Sequence, residues 1–474
     1  MKFGFLILLI SFFGCYTTTV KKPLNIKFIP AKSENLTQPD FRKDNFLDSL
    51  KKSTYGYFEV LSNPQNGLIP DRGPNISFCS IGAVGFGLSS YLVGVENHYL
   101  RREEAARRVL ITLRFFVNSH QGTEISNSTG YQGFYYHFLD MENGFRYKEV
   151  ELSTIDTGLL MMGILSCESY FDKQIPEEEE IRDLAEKLYA RVNWTWASVR
   201  PNLISMGWNP ESGFLNSDYH GYCEAMFLYI LALGSPLHSI SPKSWNTFTK
   251  TDLWGKYENR EMINFGPLFG HQYSQIWIDF RGIQDSVNRS KGIDYFENSK
   301  RAALANQSYC IKNPKRRLGY DSLTWGLTAC DGPGDMERDE NGIHITYQGY
   351  SARGAAKDYN VDDGTLAPTA VGGSTPFIPG LAILSLKHMK QTYGDKIYRK
   401  FGFIDAFNPS FQYTPESRKS EGYFDSDYLG IDEGPILLMV ENYQTEFLWN
   451  LMKKNPHIVL GLKRAGFKGG WIGN

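Results

Sequence analysis

Apolar residues recur along most of the chain with the three- and four-residue spacing of an amphipathic helix. The segment 46–61 is one example, with Phe46, Leu50, Tyr57 and Leu61 among its apolar positions. The same spacing predicts further helices at 82–95, 100–117, 153–171, 176–196, 221–233, 242–254, 271–282, 295–310, 377–393 and 436–452. The chain is therefore predicted to be mainly α-helical.

Two of these segments, 221–233 and 436–451, are apolar nearly all round, although Glu224 interrupts the first and polar residues that include the pair Glu441-Asn442 interrupt the second. Such a pattern is typical of helices that other helices enclose. About a dozen helices would fit a ring of six inner and six outer helices. The number and character of the helices thus predict an (α/α)6 barrel.

Four long segments between the helices are rich in glycine, aromatic and acidic residues: 120–152, 197–220, 312–376 and 403–434. Loops of this length inside a compact domain are usually functional or disordered. Their many aromatic residues argue against disorder. We expect these loops to build one face of the barrel.

The N-terminus has the pattern of an export signal. Lys2 precedes an apolar run at 5–13, which is too short to span a membrane as a helix of roughly 20 residues. A glycine and Cys15 follow, and this arrangement resembles a bacterial lipobox. It predicts a signal peptide at 1–14, lipidation of Cys15, a polar tether at 15–43 and anchoring in the cell envelope, either periplasmic or at the outer membrane. Ordinary secretion with an incidental cysteine is the alternative.

The composition excludes some classes of partner. The 474 residues include 50 Lys and Arg against 52 Asp and Glu, so the net charge is −2. This balance disfavours a nucleic-acid binder that neutralises many phosphates, and also a polybasic membrane-surface protein. Aromatic residues make up 14% of the chain, which suits either a large core or a cleft that stacks on sugars. Composition does not separate those two interpretations.

Sequence motifs for cofactors and metals are missing. There is no GxSxG, P-loop or GxGxxG string, so serine-hydrolase, nucleotide and dinucleotide chemistry lose their main support. The six cysteines form no CxxC pair and the nine histidines no HExxH pair, which indicates neither a metal site nor a disulfide framework. We expect no cofactor and no metal.

Several carboxylates stand in apolar or aromatic surroundings and are candidates for acid–base chemistry. Glu224 opens the apolar segment 221–233, where burial of its charged form would raise its pKa, as a general acid requires. A helix-start glutamate that accepts backbone N–H bonds would show the same pattern. Asp405 among aromatic residues, Asp156 in a helix start and Glu441 inside an apolar helix are further candidates. Turn, capping or buried-pair roles are their structural alternatives.

About a dozen strings, in order between residues 44 and 470, resemble one known family. They include Gly67-Leu-Ile-Pro-Asp71-Arg72, Gly133-Phe-Tyr-Tyr-His137, Glu151-Leu-Ser-Thr-Ile-Asp156, Gly221-Tyr-Cys-Glu224, Trp277-Ile-Asp279-Phe-Arg281 and Asp405-Ala-Phe-Asn408. Together they resemble the glycoamylase-like bacterial family that includes the endo-β-1,2-glucanases of glycoside hydrolase family 144. One such string alone would be weak evidence for the resemblance, whereas a dozen strings in the same order are specific evidence. We expect one glycoamylase-like catalytic domain at 44–474.

The resemblance implies a glycosidase on an (α/α)6 barrel that hydrolyses a β-glucan, β-1,2-glucan first, with inversion. It implies that Glu224 is the general acid and, less directly, that Asp405 is the base, because several acids fall in that region. Glu151 and Asp156 match further acids of the family's cleft. The other predicted substrate contacts are Arg72, His137, Tyr222, Gln272, Trp277, Arg281, Trp325, Asp432 and Glu441.

Two positions depart from the family pattern. Gly380 follows Pro379 where a glutamate is usual, and Glu433 stands where a glutamine is expected. If position 380 touches sugar, specificity or activity changes. If it only starts a helix, only a little stability is lost.

Two functions remain in competition: a glycosidase, and a lipid-anchored glycan-binding protein that keeps the barrel without catalysis. A lyase would need a base such as His137 or Tyr135, but a neutral glucan offers no acidic carbon to deprotonate. Inversion predicts the Glu224 and Asp405 carboxyls roughly 6.5–9.5 Å apart, or farther if a substrate hydroxyl relays the proton. We expect a monomer whose partners are its saccharide substrate and, through the lipid, a membrane.

Overall fold

Helices account for far more residues than strands in the computed structural model, which describes residues 40–76, 78–340, 342–412 and 422–473. The α-helices are α1 (Asn45–Leu61), α2 (Ile81–Glu96), α3 (Arg102–Asn118), α4 (Thr154–Tyr170), α5 (Pro176–Ala190), α6 (Trp194–Ala197), α7 (Met226–Gly234), α8 (Lys243–Phe248), α9 (Phe269–Trp277), α10 (Ser286–Lys291), α11 (Tyr295–Lys312), α12 (Pro368–Gly372), α13 (Pro379–Tyr393), α14 (Gly430–Thr445), α15 (Phe447–Met452) and α16 (Pro456–Arg464). Short 3₁₀ helices cover Phe41–Lys43, Thr249–Thr251, Gly394–Lys396 and Gly470–Ile472.

The strands are short and lie almost entirely in the connections between helices. They are β1 (Arg72–Gly73), β2 (Cys79–Ser80), β3 (Gly130–Tyr131), β4 (Phe134–Tyr136), β5 (Phe138–Leu139), β6 (Leu152–Ser153), β7 (Ile204–Ser205), β8 (Gly207–Asn209), β9 (Gly213–Phe214), β10 (Asp218–Tyr219), β11 (Leu253–Tyr257), β12 (Arg260–Asn264), β13 (Ala329–Cys330), β14 (Met336–Glu340), β15 (Ile343–Tyr347), β16 (Ser351–Ala352), β17 (Gly354–Ala356), β18 (Tyr359–Val361), β19 (Tyr398–Arg399), β20 (Gly402–Phe403), β21 (Phe407–Asn408), β22 (Tyr423–Phe424) and β23 (Tyr428–Leu429).

Six largely buried helices, α2, α4, α7, α9, α12 and α14, contact one another in succession, and the last contacts the first. The residue pairs that link them are Gly85–Leu159, Gly158–Phe227, Phe227–Ser274, Gln272–Ala370, Thr369–Asp432 and Gly434–Phe86. In α2, α4 and α7 nearly every residue is buried, as expected for helices that have neighbours on both flanks.

These six helices have their N-termini at one end of the molecule. Along α2 and α4, Gly82 faces Asp156 and Leu88 faces Cys167, so the two helices run parallel. Along α14 and α2, contacts likewise advance in one direction, from the start of both helices to the Glu441–Asn97 bond near their ends. Residues just before or within the first turns therefore gather at that end.

Amphipathic helices cover the outside of this group. Helix α1 packs on α14, α5 on α4, α11 on α9, α13 on α12 and α16 on α7. In α1, Leu47, Leu50, Tyr57 and Phe58 are buried, while Asp48, Ser49 and Lys52 face solvent. This one-sided burial supplies a large apolar core between the two groups of helices.

Short antiparallel strand pairs hold the loops over the N-terminal ends of the buried helices. Pairing of β1 with β23 sets Arg72 opposite Leu429, directly before α14. In the five-stranded sheet of order β3-β4-β6-β8-β9, strand β6 leads directly into α4. Ser153 of β6 caps that helix. Both arrangements place loop side chains beside helix starts.

The structure confirms the mainly helical class and changes several element boundaries. The helix predicted at 176–196 ends at Ala190, and α6 is separate. The helix predicted at 436–452 is two helices, broken at Glu446, whose φ of 59° is left-handed. The long connections contain more strand than predicted, because pairs of two or three residues leave no periodic pattern.

The residues from Phe41 onward form one compact unit. The predicted signal peptide, Cys15 and the tether up to residue 39 lie outside the described residues. Within the described part of the chain, none of the helices combines the length and apolarity needed to cross a bilayer. The five cysteines of that part are all buried as free thiols.

Candidate active site

Acidic side chains meet where the buried helices begin. Asp156 lies in the first turn of α4 and Asp432 in the first turn of α14. Glu224 lies in the turn two residues before α7, rather than inside that helix as predicted. Because the helix starts share one end of the molecule, residues distant in sequence form one cleft.

Glu224 lines a cavity of about 540 Å³. Aromatic side chains form much of its wall, namely Tyr219, Tyr222, Phe265, Phe269 and Tyr359. Ser274 of α9 fixes the turn, donating to the Glu224 carbonyl at 2.7 Å and accepting from Phe227 N–H at 3.0 Å. Burial raises the pKa of Glu224 to about 7, and the nearby Asp156 carboxylate acts in the same direction. A carboxyl that keeps its proton near neutral pH is suited to general-acid catalysis.

A histidine and two carboxylates lie beside Glu224. His137 Nδ1 is 2.8 Å from Glu151 Oε1, and His137 Nε2 is 3.4 Å from Asp156 Oδ2. Burial opposes protonation of His137, but the charges of Asp156 and Glu151 outweigh it and raise the pKa of His137 to about 9. Burial likewise opposes ionisation of Glu151, yet its bond with His137 lowers the pKa of Glu151.

A second acidic group lies at the start of α14. The Asp405 and Asp432 carboxyls lie close together, and each shifts the pKa of the other. Asp405 also accepts from the Asp331 N–H at 2.7 Å. Burial, with the charge of its partner, raises the pKa of Asp405 well above its usual range. Burial raises the pKa of Asp432 to about 7.

Arg72 links the acidic groups of the cleft. Its guanidinium lies 2.7 Å from Asp331, 3.2 Å from Asp71 and 3.7 Å from Asp427. The Asp71 carboxylate in turn interacts electrostatically with both Arg72 and His137. The guanidinium offsets part of the negative charge that the carboxylates concentrate here.

Tyr273 of α9 lies between the two acidic groups. Its hydroxyl donates to the Ile431 carbonyl oxygen at 3.0 Å, at the start of α14. Burial raises the pKa of Tyr273 far above its ordinary value, and the charges of Asp432, Asp156 and Glu224 all add to the shift. The carboxyls of Glu224, Asp156 and Asp432 therefore all lie near Tyr273.

Two groups within the described residues have carboxylate or imidazole atoms within 4.8 Å of one another, as a metal ion would require. One contains Asp331, Asp405 and Asp425, and the other contains Glu168, Glu186 and His457. The first offers only carboxylate oxygens, the ligands that Ca²⁺ and Mg²⁺ prefer. Arg72, paired with Asp331, balances part of its charge.

The structure corrects five predicted substrate contacts. They are Gln272, Trp277, Arg281, Trp325 and Glu441. Trp277 and Trp325 are fully buried, and their indole N–H groups bond Ser89 and Ser385. Gln272 is buried between α9 and α12, where it bonds Ala370.

Arg281 and Glu441 lie at or beyond the C-terminal ends of the buried helices, opposite the cleft. Arg281 pairs with Asp279 and Glu446, and Glu441 forms a buried pair with Lys51 at 2.7 Å. Family-like strings therefore included residues whose function is helix packing.

Other predicted site residues do come together. Arg72, His137, Glu151, Asp156, Tyr222, Glu224, Asp405 and Asp432 lie at the cleft end of the buried helices or line its cavity. Gly380 does not, because it begins the outer helix α13, where its nearest neighbour is Phe41. The missing glutamate at this position is therefore a helix-start difference.

Sequence reasoning missed Asp71, Asp331, Asp425 and Tyr273 as members of the site. Asp71 stood inside a family-like string, and Tyr273 directly follows the predicted contact Gln272, so position alone could have flagged both. Asp331 and Asp425 gave no comparable signal, because both lie in irregular loops that only the fold brings to Asp405.

Comparison with known proteins agrees with the family resemblance. The glycoamylase family model, described as "Putative glucoamylase", matches residues 216–456. A solved structure of the same description from Bacteroides uniformis is 30% identical, with a TM-score of 0.78 over 90% of this chain and 98% of that one.

Two further relatives have named activities. The endo-β-1,2-glucanase of Chitinophaga pinensis, solved with sophorotriose and glucose, is 26% identical, with a TM-score of 0.78 over 90% of this chain and 99% of that one. The exo β-1,2-glucooligosaccharide sophorohydrolase of Parabacteroides distasonis is 26% identical over 458 residues. That match covers 89% of this chain but only 58% of the longer relative. By the family model and the 30% identical structure, this chain belongs to the glycoamylase family.

Proposed function

We propose that this protein is a glycoside hydrolase that cleaves a β-glucan with inversion at the anomeric carbon. The substrate that we propose is β-1,2-glucan. Glu224 donates its proton to the glycosidic oxygen as the bond to the anomeric carbon breaks. The Asp405–Asp432 pair removes a proton from a water molecule, whose oxygen attacks that carbon from the opposite side. One sugar chain leaves with a new hydroxyl, and the other gains the water oxygen.

The observation that carries this proposal is the presence of two separate buried acidic groups where the buried helices begin. Glu224 lies in a largely aromatic cavity with a pKa of about 7, so it holds a proton that it can donate near neutral pH. Asp405 and Asp432 are buried together, and their interaction favours one protonated and one ionised carboxyl, of which the ionised one can accept a proton from a water. Carboxyls held in different protonation states are the requirement for an inverting hydrolase.

The named activities of two relatives support β-1,2-glucan as the substrate. The aromatic walls beside Glu224 suit sugar rings, whose apolar faces stack on tyrosine and phenylalanine. Arg72 and Glu151 are partly exposed in the cleft and could bond sugar hydroxyls. Endo and exo action both fit this arrangement.

We infer that the helices close into an (α/α)6 barrel. The successive contacts of α2, α4, α7, α9, α12 and α14, together with the outer helices packed against them, support this architecture. It explains why catalytic candidates come from many helix starts, since each loop over a barrel end can contribute a side chain.

The decisive experiment incubates the purified protein with linear glucans of different linkage and measures new reducing ends. We expect cleavage of β-1,2-glucan. Glu224→Gln, Asp405→Asn and Asp432→Asn should each lower turnover by about 10²–10⁴-fold with the fold and most substrate binding retained. Glu103→Gln, an exposed change on outer helix α3, is the matched control and should behave as wild type.

Near-normal turnover by Glu224→Gln would show that another group is the acid. Binding of a glucan in the cleft without cleavage by the unmodified protein would overturn the hydrolase proposal in favour of a glycan-binding protein. NMR of the first-formed product distinguishes inversion from retention.

We also propose that Cys15 carries a lipid that anchors the protein in the cell envelope. The sequence pattern of residues 1–15 supports this proposal. Cys15→Ser should move the protein from the membrane fraction to the soluble fraction. Unchanged membrane association of this variant would count against the lipid.

A further inference from the structure

Arg353 is a fully buried cation that the proposed reaction does not use. It lies between β16 and β17, and its Nε and Nη2 atoms are each 2.8 Å from one carboxylate oxygen of the buried Asp363. Its remaining N–H groups donate to backbone carbonyl oxygens. Nη1 lies 2.7 Å from the Cys330 oxygen, and Nη2 lies 2.8 Å from that of Gln348 and 3.0 Å from that of Gly349. The charge is thus compensated by an ion pair and by hydrogen bonds, as deep burial requires.

This one guanidinium connects two segments of the connection between α11 and α12, residues 330–331 and 348–349. The backbone covers it closely, because a Cβ on Gly332 would lie 2.2 Å from Arg353 Nη2 and 2.3 Å from the Gln348 carbonyl oxygen. A guanidinium presents five N–H donors in a rigid plane, whereas a lysine ammonium presents three from a single point. The arrangement therefore requires arginine and not merely a positive charge.

The segment 330–331 reaches the second acidic group through one hydrogen bond. The backbone N–H of Asp331 donates to Asp405 Oδ2 at 2.7 Å. The carbonyl oxygen of the same residue accepts from Arg353 Nη1 at 3.2 Å, and its carboxylate lies 2.7 Å from Arg72. Because Arg353 fixes the backbone on both sides of the Cys330–Asp331 peptide bond, it also fixes the N–H that contacts Asp405.

We propose that Arg353 is a positioning residue for hydrolysis. By fixing residues 330–331 it holds the Asp331 N–H against Asp405, and it thereby sets where the Asp405–Asp432 pair meets the attacking water. Since its side chain is fully buried, it acts through Asp331 and not on the sugar. The inference rests on the proposed function of the Asp405–Asp432 pair.

The test measures kcat and KM on linear β-1,2-glucan for wild type, Arg353→Lys and Gly332→Ala. Arg353→Lys keeps a positive charge beside Asp363 but loses the planar set of donors. Gly332→Ala keeps the guanidinium and displaces it with a methyl group. Misplacement of a reacting group by about 1 Å costs about 10²-fold in rate. Each variant should therefore lower kcat by roughly that factor and leave KM nearly unchanged.

Lys51→Met is the matched control, because it breaks another buried ion pair at the end of the molecule opposite the cleft. Lys51 Nζ lies 2.7 Å from Glu441 there. This variant should melt at a lower temperature than wild type but keep its kcat and KM. Circular dichroism and thermal melting define a temperature at which all variants are folded. If Arg353→Lys does not fold, Gly332→Ala, which retains the ion pair, carries the test.

A double variant separates positioning from general damage to the cleft. In Asp405→Asn the contribution of the Asp405 carboxylate is already lost, so adding Arg353→Lys should lower kcat no further. Three results would overturn the inference: near-normal kcat in the folded variants, a higher KM at unchanged kcat, or losses that multiply in the double variant. Failure of the proposed function is separate, because it would appear as no cleavage by wild type or as normal turnover by Asp405→Asn.

Discussion

Glu433 is a buried acid that the proposed mechanism does not use. It lies in the first turn of α14 beside Tyr57 and Tyr428, and its Oε2 has no hydrogen-bond partner among the described residues. Burial raises its pKa well above the usual 4.5. The folded state therefore binds a proton that the unfolded state releases, so this residue lowers stability as pH rises above about 4.5.

We expect Glu433→Gln to stabilise the protein at neutral pH, because glutamine fills the same space without ionising. Its advantage should be small at pH 4 and grow by about 1.4 kcal/mol per pH unit above that, until Glu433 itself would ionise in the folded state. Urea unfolding at pH 4, 5, 6 and 7 measures the difference. An advantage that is constant with pH would contradict the protonation argument.

At the residue scale, the sequence allowed Glu224 to be predicted better than its partners. A lone glutamate in an apolar segment is costly to bury charged, and this cost is visible without coordinates. Trp277 and Glu441 misled because a buried packing residue and a sugar contact look alike within a family-like string. Burial and hydrogen-bond partners separate them.

At the element scale, the close contact of α2 and α4 depends on Gly85 and Gly163. A Cβ on Gly85 would lie 2.2 Å from the Leu159 carbonyl oxygen, and one on Gly163 would lie 2.2 Å from the Gly85 oxygen. Backbone atoms cannot move aside as a flexible side chain can. Gly85→Ala should therefore lower the free energy of unfolding by about 1–3 kcal/mol or more, or prevent folding.

Gly56→Ala in α1 is the matched control, because its Cβ would meet only Phe401 at an ordinary 3.5 Å. Alanine also favours a helix interior by about 0.5–1 kcal/mol over glycine. Denaturant unfolding should find this variant at least as stable as wild type. Equal stability of the two alanine variants would show that α2 and α4 can separate without cost.

Helix positions were predictable because apolar spacing persists over 15 or more residues, as in α1 and α4. Breaks within a helix were not. Glu446 interrupts the apolar run of α14 and α15 by adopting a left-handed conformation, which favours glycine or asparagine and gives no signal at a glutamate. The short strands were also missed, because a pair such as β1 and β23 depends on contacts between residues more than 350 positions apart.

At the scale of the whole molecule, the fold class could be predicted but the cleft could not. Helical periodicity is local, whereas the cleft joins Asp71, Asp156, Asp331 and Asp405 from four separate parts of the chain. Their proximity follows from the shared direction of the buried helices. The family resemblance supplied the functional class at this scale, and the geometry then selected which of its residues face one another.

The cleft as a whole predicts a narrow pH optimum. Catalysis needs a protonated Glu224 and an ionised carboxylate in the Asp405–Asp432 pair. Glu224 loses its proton as pH rises through about 7, so kcat/KM should fall about tenfold per pH unit on the alkaline side. Burial raises the pKa of Asp432 to about 7, so the acid limb should lie well above the value of an ordinary aspartate.

These two pKa shifts together predict that kcat/KM for hydrolysis of β-1,2-glucan depends on pH as a bell-shaped curve centred near neutral pH. Initial rates at low substrate concentration between pH 4 and 9 measure kcat/KM, which reports the ionisation of the free enzyme. Glu103→Gln, which lies outside the cleft, should leave the bell unchanged. A flat profile from pH 4 to 9 would mean that neither buried acidic group controls the reaction.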